Sequence, residues 1–423
     1  MGYLDPGLPE ALRAAFGPLG EAPAPLSLDE VATIIEADFG AAARELLHTL
    51  RSTPIAADAV GQIHRSTLSD GTPVAVKVQR PEIAARVARE LSPEALAARL
   101  GPWCGGGPLE ALAAELYDGA VQACDFSLAA QRQERAWWLF AGHGSVVVPS
   151  LKRAWCSARV VTSDFIGGAP LDKYLEARPS QAARDRAGEA LFDFYVGTLF
   201  EHGLYSCDPD PGNHLFLPDG RVAFVDFGCL REPAPGFTAR LAALTHAFQD
   251  GAGDRELVDR AAAALGIEAL DDELLRALYG PMLRDEVAAF DPPPRTLADL
   301  LAHKGRAPAS AELLFVARTA LGLATLLAQL GARANFRQRL HALLSGYPQP
   351  SFDVVLLHPG DSAITMARAL LDATGLPLRE IEYMITRSPQ TIKQAIPRAE
   401  AEALRVRLEQ AGAQVEIKLA SPV

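Results

Sequence analysis

The sequence predicts an α+β protein in which a large mixed domain precedes a small β-α-α-β-α-β domain. Three observations predict it. Two alternating runs, Ile63-His-Arg-Ser-Thr-Leu68 and Pro73-Val-Ala-Val-Lys-Val78, flank Ser69-Asp70-Gly71 and read as a β-hairpin. Long stretches on either side carry helical apolar periodicity. Gly346-Tyr-Pro-Gln-Pro350 then separates these from a short segment, Phe352 to Leu419, that mixes both patterns.

Bulk properties are consistent with this. A chain of 423 residues with 49% hydrophobic and 22% charged side chains supports two or three folded domains. A net charge of −12 repels phosphate backbones, so no nucleic-acid partner is expected. The five cysteines, Cys104, Cys124, Cys156, Cys207 and Cys229, form no C-x-x-C pair. We expect no disulfide framework or zinc site and a reducing, cytoplasmic setting, peripheral to membrane at most. Met1 to Pro9 lack the basic and apolar regions of a signal peptide. Leu313 to Ala332 is rich in Leu and Ala but is interrupted by Arg318 and flanked by Glu312 and Arg333, so a buried helix is expected there and no transmembrane segment.

In chain order, residues 1–50 read as helices broken at Ala22-Pro23-Ala24-Pro25, and Ser27-Leu-Asp-Glu30 has capping-box spacing. Helices are expected from Pro81 to Phe140, interrupted at Gly105-Gly106-Gly107. Strands are expected at Val146–Pro149 and Ser157–Thr162, and a helix from Gln181 to Gly203. Leu215–Leu217 and Val222–Val225 flank a second Asp-Gly turn, Asp219-Gly220, and helices run from there to Leu344.

Phosphoryl transfer from ATP needs a cation on the phosphates, a carboxylate at the acceptor and hard oxygen ligands for Mg²⁺. The chain supplies these in order. Val74-Ala75-Val76-Lys77 puts a lysine on the second hairpin strand. Asp208 and Asn213 have the Asp-to-Asn spacing of a kinase catalytic loop, and Asp226-Phe227-Gly228 follows a strand. Each motif alone is weak, but three in order and in the expected context are not.

The stretch from Pro54-Ile-Ala-Ala-Asp-Ala-Val-Gly-Gln-Ile-His-Arg65 to Pro81, with Asp208-Pro-Asp-Pro-Gly-Asn213, resembles the AarF/UbiB atypical kinases. That resemblance runs from Gly2 to Leu344 and implies a bilobal protein-kinase-like fold over residues 1–345, with lobes meeting near residue 165. It implies that Ala56, Ala57, Ala59, Val60 and Gly61 form an Ala-rich loop over the phosphates. Lys77 would contact the α- and β-phosphates, and Asp208 would be the catalytic carboxylate. Asn213 and Asp226 would bind Mg²⁺, and Asp164 and Ile166 would belong to the hinge that holds adenine. ATP and Mg²⁺ are the implied cofactors, and a lipid, isoprenoid-quinone or other small molecule the implied acceptor. The expected activity is that of an ATPase or phosphotransferase; the alternative is a catalytically weak pseudokinase scaffold.

The chain departs from the family in four places. The K-x-G-Q motif would fall before Tyr3-Leu-Asp-Pro-Gly-Leu-Pro9 and is not in the sequence. The helix motif E-x-D-F-x-x-E reads Ala123-Cys-Asp-Phe-Ser-Leu-Ala129, so both glutamates are alanine and Lys77 lacks its usual partner; Glu115 and Glu134 have the wrong spacing. Ser206 and Asp210 replace two histidines around Asp208. Asp58 stands where another alanine is usual, unfavourable beside phosphate unless metal-bridged or turned outward.

After a linker at 346–351, residues 352–420 resemble the C-terminal domain of the bacterial ribosomal stalk protein. The resemblance rests on Phe352-Asp-Val-Val-Leu356, Ala373-Thr-Gly-Leu376, Ala399-Glu-Ala-Glu402 and Ala411-Gly-Ala-Gln-Val-Glu416. Arg368 is kept on the face that recruits translation factors in that protein, but Ala363 and Leu371 replace basic residues, and Arg379 adds little. A protein-interaction module is therefore expected in place of a factor-binding one.

Overall fold

The computed structural model of the chain describes residues 24–104, 109–250, 265, 311–344 and 351–419. Expectations for residues 1–23, for the glycine break at 105–107, for helix over most of 251–310 and for the linker at 346–350 lie outside them. The chain divides into two compact units, Met1–Ser345 and Gly346–Val423.

In the first unit α1 (Leu28–Phe39) opens with the expected capping box. Ser27 Oγ accepts from the Glu30 N–H at 3.3 Å, and the Glu30 carboxylate accepts from the Ser27 N–H at 2.7 Å. Ser27→Ala is expected to lower stability by about 1 kcal/mol, measurable as a reduced urea midpoint. Val31, Ile34 and Ile35 form the apolar face of α1, and α2 (Ala43–Leu47) follows.

The strands are β1 (Ala56–Ala57), β2 (Gly61–Thr67), β3 (Pro73–Gln79), β4 (Val146–Val147) and β5 (Val160–Asp164). A fully antiparallel sheet runs β1-β2-β3-β5. The Asp-Gly turn closes the hairpin as expected: Gly71 has φ +86°, and Asp70 Oδ1 accepts from the Thr72 N–H at 2.8 Å. Strand alternation sends Val74, Val76 and Val78 into one core with α1, which leaves Lys77 on the opposite face.

The expected strand Ser157–Thr162 is displaced to Val160–Asp164. Ser157 Oγ accepts from the N–H groups of Arg159 and Val160, at 3.1 and 3.0 Å, and this turn delays the strand. The expected Val146–Pro149 strand is confined to two residues, since Pro149 has no N–H to pair.

Four helices, α3 (Ile83–Glu90), α4 (Pro93–Cys104), α5 (Leu109–Ala123) and α6 (Phe126–Leu139), follow the hairpin. Ile83, Val87, Leu96 and Phe126 pack there with Val60 and Val161.

The remaining described residues of the unit are mostly helical: α7 (Leu171–Glu176), α8 (Gln181–Phe192), α9 (Thr198–His202), α10 (Phe237–Asp250), α11 (Ala311–Leu330) and α12 (Phe336–Leu344). A π-helical turn, Asp193–Gly197, joins α8 to α9, and Gly203 ends α9 at φ +58°. Between the helices lie β6 (Tyr205–Ser206), β7 (His214–Phe216), β8 (Val222–Phe224) and β9 (Leu230–Arg231). β6 pairs with β9, and β7 with β8, whose other side takes β4 in parallel. Phe194 stacks on Phe224 with centroids 3.7 Å apart. Leu326, Leu327 and Leu330 of α11 close this core, so the Leu/Ala-rich helix is buried. Among the described residues no helix is long and apolar enough to cross a membrane.

The second unit has the expected order: β10 (Ser351–His358), α13 (Ala363–Thr374), α14 (Leu378–Thr386), β11 (Gln390–Pro397), α15 (Arg398–Gln410) and β12 (Gln414–Leu419). β10 is central in an antiparallel sheet, β11-β10-β12. Gly375 takes the left-handed position after α13, at φ +66°. On α13 the exposed residues include Ala363, Ile364 and Leu371 beside Arg368, so this surface is mixed and not basic.

Candidate functional site

The Ala-rich segment runs from β1 through a tight turn at residues 58–60 into the start of β2. Ala56 and Ala57 pair with Ile63 and Gln62 and are exposed. Ala59 and Val60 are buried, and the Val60 side chain joins the Ile83 core, leaving only its backbone for a ligand. Gly61 is required by close approach, because a Cβ there would lie 2.5 Å from the Val78 carbonyl oxygen.

Asp58 is half-buried and turns back onto its own turn. Its Oδ1 accepts from the N–H groups of Val60 and Gly61, both at 2.7 Å. Successive N–H groups of this kind are an anion-binding concavity, and here a side chain of the turn occupies it. Buried Arg80 backs the turn, donating through Nε to the Asp58 carbonyl at 3.0 Å.

Lys77 projects from β3 to Asp226. Its Nζ lies 2.7 Å from Asp226 Oδ2 and 5.3 Å from the centroid of the Phe126 ring. Asp226 Oδ1 accepts from the Gly228 N–H at 2.8 Å. Burial works against the Lys77 charge, but the carboxylates of Asp226 and Asp58 outweigh it and hold the ammonium above its usual range. Burial likewise opposes ionisation of Asp226, and Lys77 with the Gly228 N–H holds its carboxyl below the usual range. Glu115 pairs with Arg231 and Glu134 with Arg153, so neither reaches Lys77. Asp125, the survivor of the helix motif, caps α6 through the N–H groups of Ser127 and Leu128.

Asp208 lies on the loop after β6. Its Oδ2 accepts from Asn213 Nδ2 at 3.3 Å and its Oδ1 from Arg318 Nη2 at 2.6 Å. Asp210 caps the 3₁₀ turn Pro211–Asn213, its Oδ1 accepting from the Gly212 N–H at 2.8 Å. Burial raises the Asp210 carboxyl against that bond, and the charge of Asp208 adds to the rise.

Beneath the loop, buried His214 shares a 2.8 Å hydrogen bond with Tyr195 Oη, and burial pushes its pKa down to about 4. The fold therefore holds His214 neutral, while the unfolded chain binds a proton below about pH 6.5. Stability from this site is complete above that pH and is lost as pH falls toward the folded value, at about 1.4 kcal/mol per unit. His214→Asn is expected to flatten the pH dependence of the urea midpoint between about pH 6.5 and 5.

The structure thus forms two clusters, Lys77 with Asp226 and Asp208 with Asn213. Asp164 belongs to neither through its side chain: its Oδ1 pairs with Lys152 at 2.6 Å. Its backbone closes β5 against Val74, and Phe165 N–H donates to the Pro73 carbonyl at 3.0 Å. Half-buried Ile166 follows on the segment leading to Ala169, which is tied to Phe216.

The sequence reading missed Arg318, which it took only as a break in an apolar helix. The signal was there, because a lone arginine inside a buried helix has to find a carboxylate. α11 is also seated on the loop by Thr319 Oγ1, which donates to the Ser206 carbonyl at 2.9 Å. Gly322 completes the seat, since a Cβ there would lie 2.1 Å from Pro209 Cγ.

Two family models match the chain. One is the ABC1 atypical kinase-like domain, over residues 19–258. The other is the ribosomal protein L7/L12 C-terminal domain, over residues 352–418. The chain is 29% identical over 232 residues to the uncharacterized protein sll0005 of Synechocystis, covering 50% of this chain and 34% of that one. It is 33% identical over 216 residues to the chloroplastic Protein ACTIVITY OF BC1 COMPLEX KINASE 1 of Arabidopsis thaliana, covering 47% and 30%. It is 28% identical over 230 residues to the mitochondrial Atypical kinase COQ8B of Rattus norvegicus, covering 53% and 42%. The chain spans only about a third of the length of the first of these curated relatives. Among solved structures, that of the Rv3197–erythromycin complex from Mycobacterium tuberculosis superposes with TM-score 0.60 at 23% identity, over 79% of this chain and 86% of that one.

Proposed function

The chain belongs to the ABC1 atypical kinase-like family, and from that premise we propose that it binds ATP with Mg²⁺ and turns ATP over slowly, as an ATPase or phosphotransferase. The observation that carries this is the 2.7 Å pair of Lys77 and Asp226, 149 residues apart in sequence, in one unit with Asp208 and Asn213. Selection for folding alone gives little reason to keep all four.

The donors fit the cofactor. Mg²⁺ takes hard oxygens and is usually held by one or two protein groups together with substrate phosphates. Asp226 would supply a carboxylate oxygen, and Asn213 its carbonyl oxygen, because its amide nitrogen faces Asp208. The ion would neutralise charge on the phosphates.

Lys77 is held charged, ready to exchange Asp226 for the α- and β-phosphates. Asp208 orients the acceptor, water or a hydroxyl. The acceptor class, a lipid or isoprenoid-quinone-related molecule, is carried by the family alone.

Asp58 has to leave the N–H groups of Val60 and Gly61 before phosphate can use them. Asp58→Ala is therefore expected to tighten ATP binding by about tenfold in calorimetric titration, roughly one charge-assisted hydrogen bond. Weaker binding would show that Asp58 organises the turn and does not compete with the ligand.

A second reading, a pseudokinase scaffold with partners on its stalk-like unit, is favoured by one feature. Among the described residues no glutamate pairs with Lys77, so in this conformation the lysine and the proposed metal-binding aspartate occupy each other. Thermal-shift titration with ATP, with and without Mg²⁺, tests nucleotide–metal binding, and Mg²⁺-dependent ATP hydrolysis separates the two readings. A shift requiring both supports nucleotide–metal binding, and no response to either overturns it.

A further inference from the structure

We propose that Arg318 is a positioning residue for Asp208, a role that rests on the enzymatic reading above. The loop Asp208-Pro-Asp-Pro-Gly-Asn213 contains two carboxylates and no basic side chain. Its positive charge comes instead from a helix 110 residues further along the chain, as a 2.6 Å bond from Arg318 Nη2 to Asp208 Oδ1.

The arginine is not a loosely held surface group. Its side chain is one-third exposed, 33%, and that of Asp208 11%. The next residue, Thr319, donates to the Ser206 carbonyl, and one turn further on Gly322 lets the helix meet the Pro209 ring. Three contacts from five consecutive residues of α11 therefore fall on Ser206, Asp208 and Pro209.

The consequence concerns the two carboxylate oxygens. Oδ1 is held by the short charge-assisted bond, whereas Oδ2 carries a longer one, 3.3 Å, from Asn213. Arg318 on Oδ1 and Asn213 on Oδ2 together hold the Asp208 carboxylate in one orientation toward the acceptor hydroxyl or water. Arg318 also offsets part of the charge of Asp210 on the same loop.

The test measures kcat and KM for ATP with Mg²⁺, and ADP affinity by calorimetry, in wild type, Arg318→Ala, Arg318→Lys, Asp208→Asn and the double variant Asp208→Asn/Arg318→Ala. We expect Arg318→Ala to lower kcat by about 10²-fold, the scale of a displaced catalytic group, with ADP affinity within about threefold of wild type. Arg318→Lys restores part of the loss, and Arg318→Ala slows the Asp208→Asn protein no further.

An equal slowing in both backgrounds, or a rise in KM at unchanged kcat, overturns the positioning role. If Arg318→Ala does not fold, Arg318→Lys alone decides, since wild-type kcat there overturns the positioning role argued for the guanidinium contact on Asp208 Oδ1. Wild-type protein that binds ADP without turning over ATP removes the enzymatic reading and this role with it. Wild-type turnover that Arg318→Ala leaves intact removes this role alone.

Discussion

Asp226→Asn is expected to lower Mg²⁺-dependent ATP hydrolysis by about 10²–10³-fold, the range for removing one group that stabilises developing charge. Asparagine has nearly the same size and can still accept from the Gly228 N–H through its carbonyl oxygen. The substitution therefore removes charge and little else. A proposed Mg²⁺ ligand becomes neutral, and Lys77 loses the carboxylate that holds it charged.

The variant also reports on stability. Asp226 has a depressed pKa in the fold, so its contribution is complete above the unfolded carboxylate range and is lost as pH falls through the folded value. Lys77 has a raised pKa, so its contribution is complete below the unfolded lysine value and is lost as pH rises through the folded one. The pair is whole between these limits, and Asp226→Asn should flatten the acid limb of a urea-midpoint profile. Retained turnover in this variant would exclude Asp226 as a metal ligand, whatever the profile shows.

Gly322→Val should do the second-largest damage, and through geometry alone. Its Cβ would lie 2.1 Å from Cγ and 2.7 Å from Cβ of Pro209, and a proline ring cannot swing aside. We expect a loss of about 2–3 kcal/mol, typical of overpacking, with activity falling further as α11 and Arg318 lift away from Asp208.

Gly322→Ala makes the sharper test of sign. In an open helix it would stabilise by nearly 1 kcal/mol, whereas here it should destabilise. Gly167 is the control, since a Cβ there meets nothing within 4 Å and Gly167→Ala should be neutral or slightly stabilising. A stabilised Gly322→Ala protein in chemical denaturation would mean that α11 does not sit on the loop as closely as the structure has it.

These two variants mark how far the sequence could be read. Elements and their order were legible because they follow from local rules. Alternation in Pro73–Val78 makes a strand, Asp70-Gly71 a turn, Ser27–Glu30 a helix start and Gly375 a helix end. The family was legible because Lys77, Asp208, Asn213 and Asp226 come in order at fixed spacings. The strand starting at Val160 was misplaced because the Ser157 side chain competes for backbone N–H groups, which periodicity does not register.

By itself the sequence determined the two folded units, the order of their elements and the set of residue types available for nucleotide chemistry. Only the tertiary structure decided which charges meet. Lys77 finds Asp226 across 149 residues and Asp208 finds Arg318 across 110, while Asp58 turns back onto its own turn. The physical reason is range. Propensity, capping and alternation act over a few residues, whereas ion pairs are chosen by how packed helices and strands bring distant side chains within about 3 Å under partial burial, where an unpaired charge is costly.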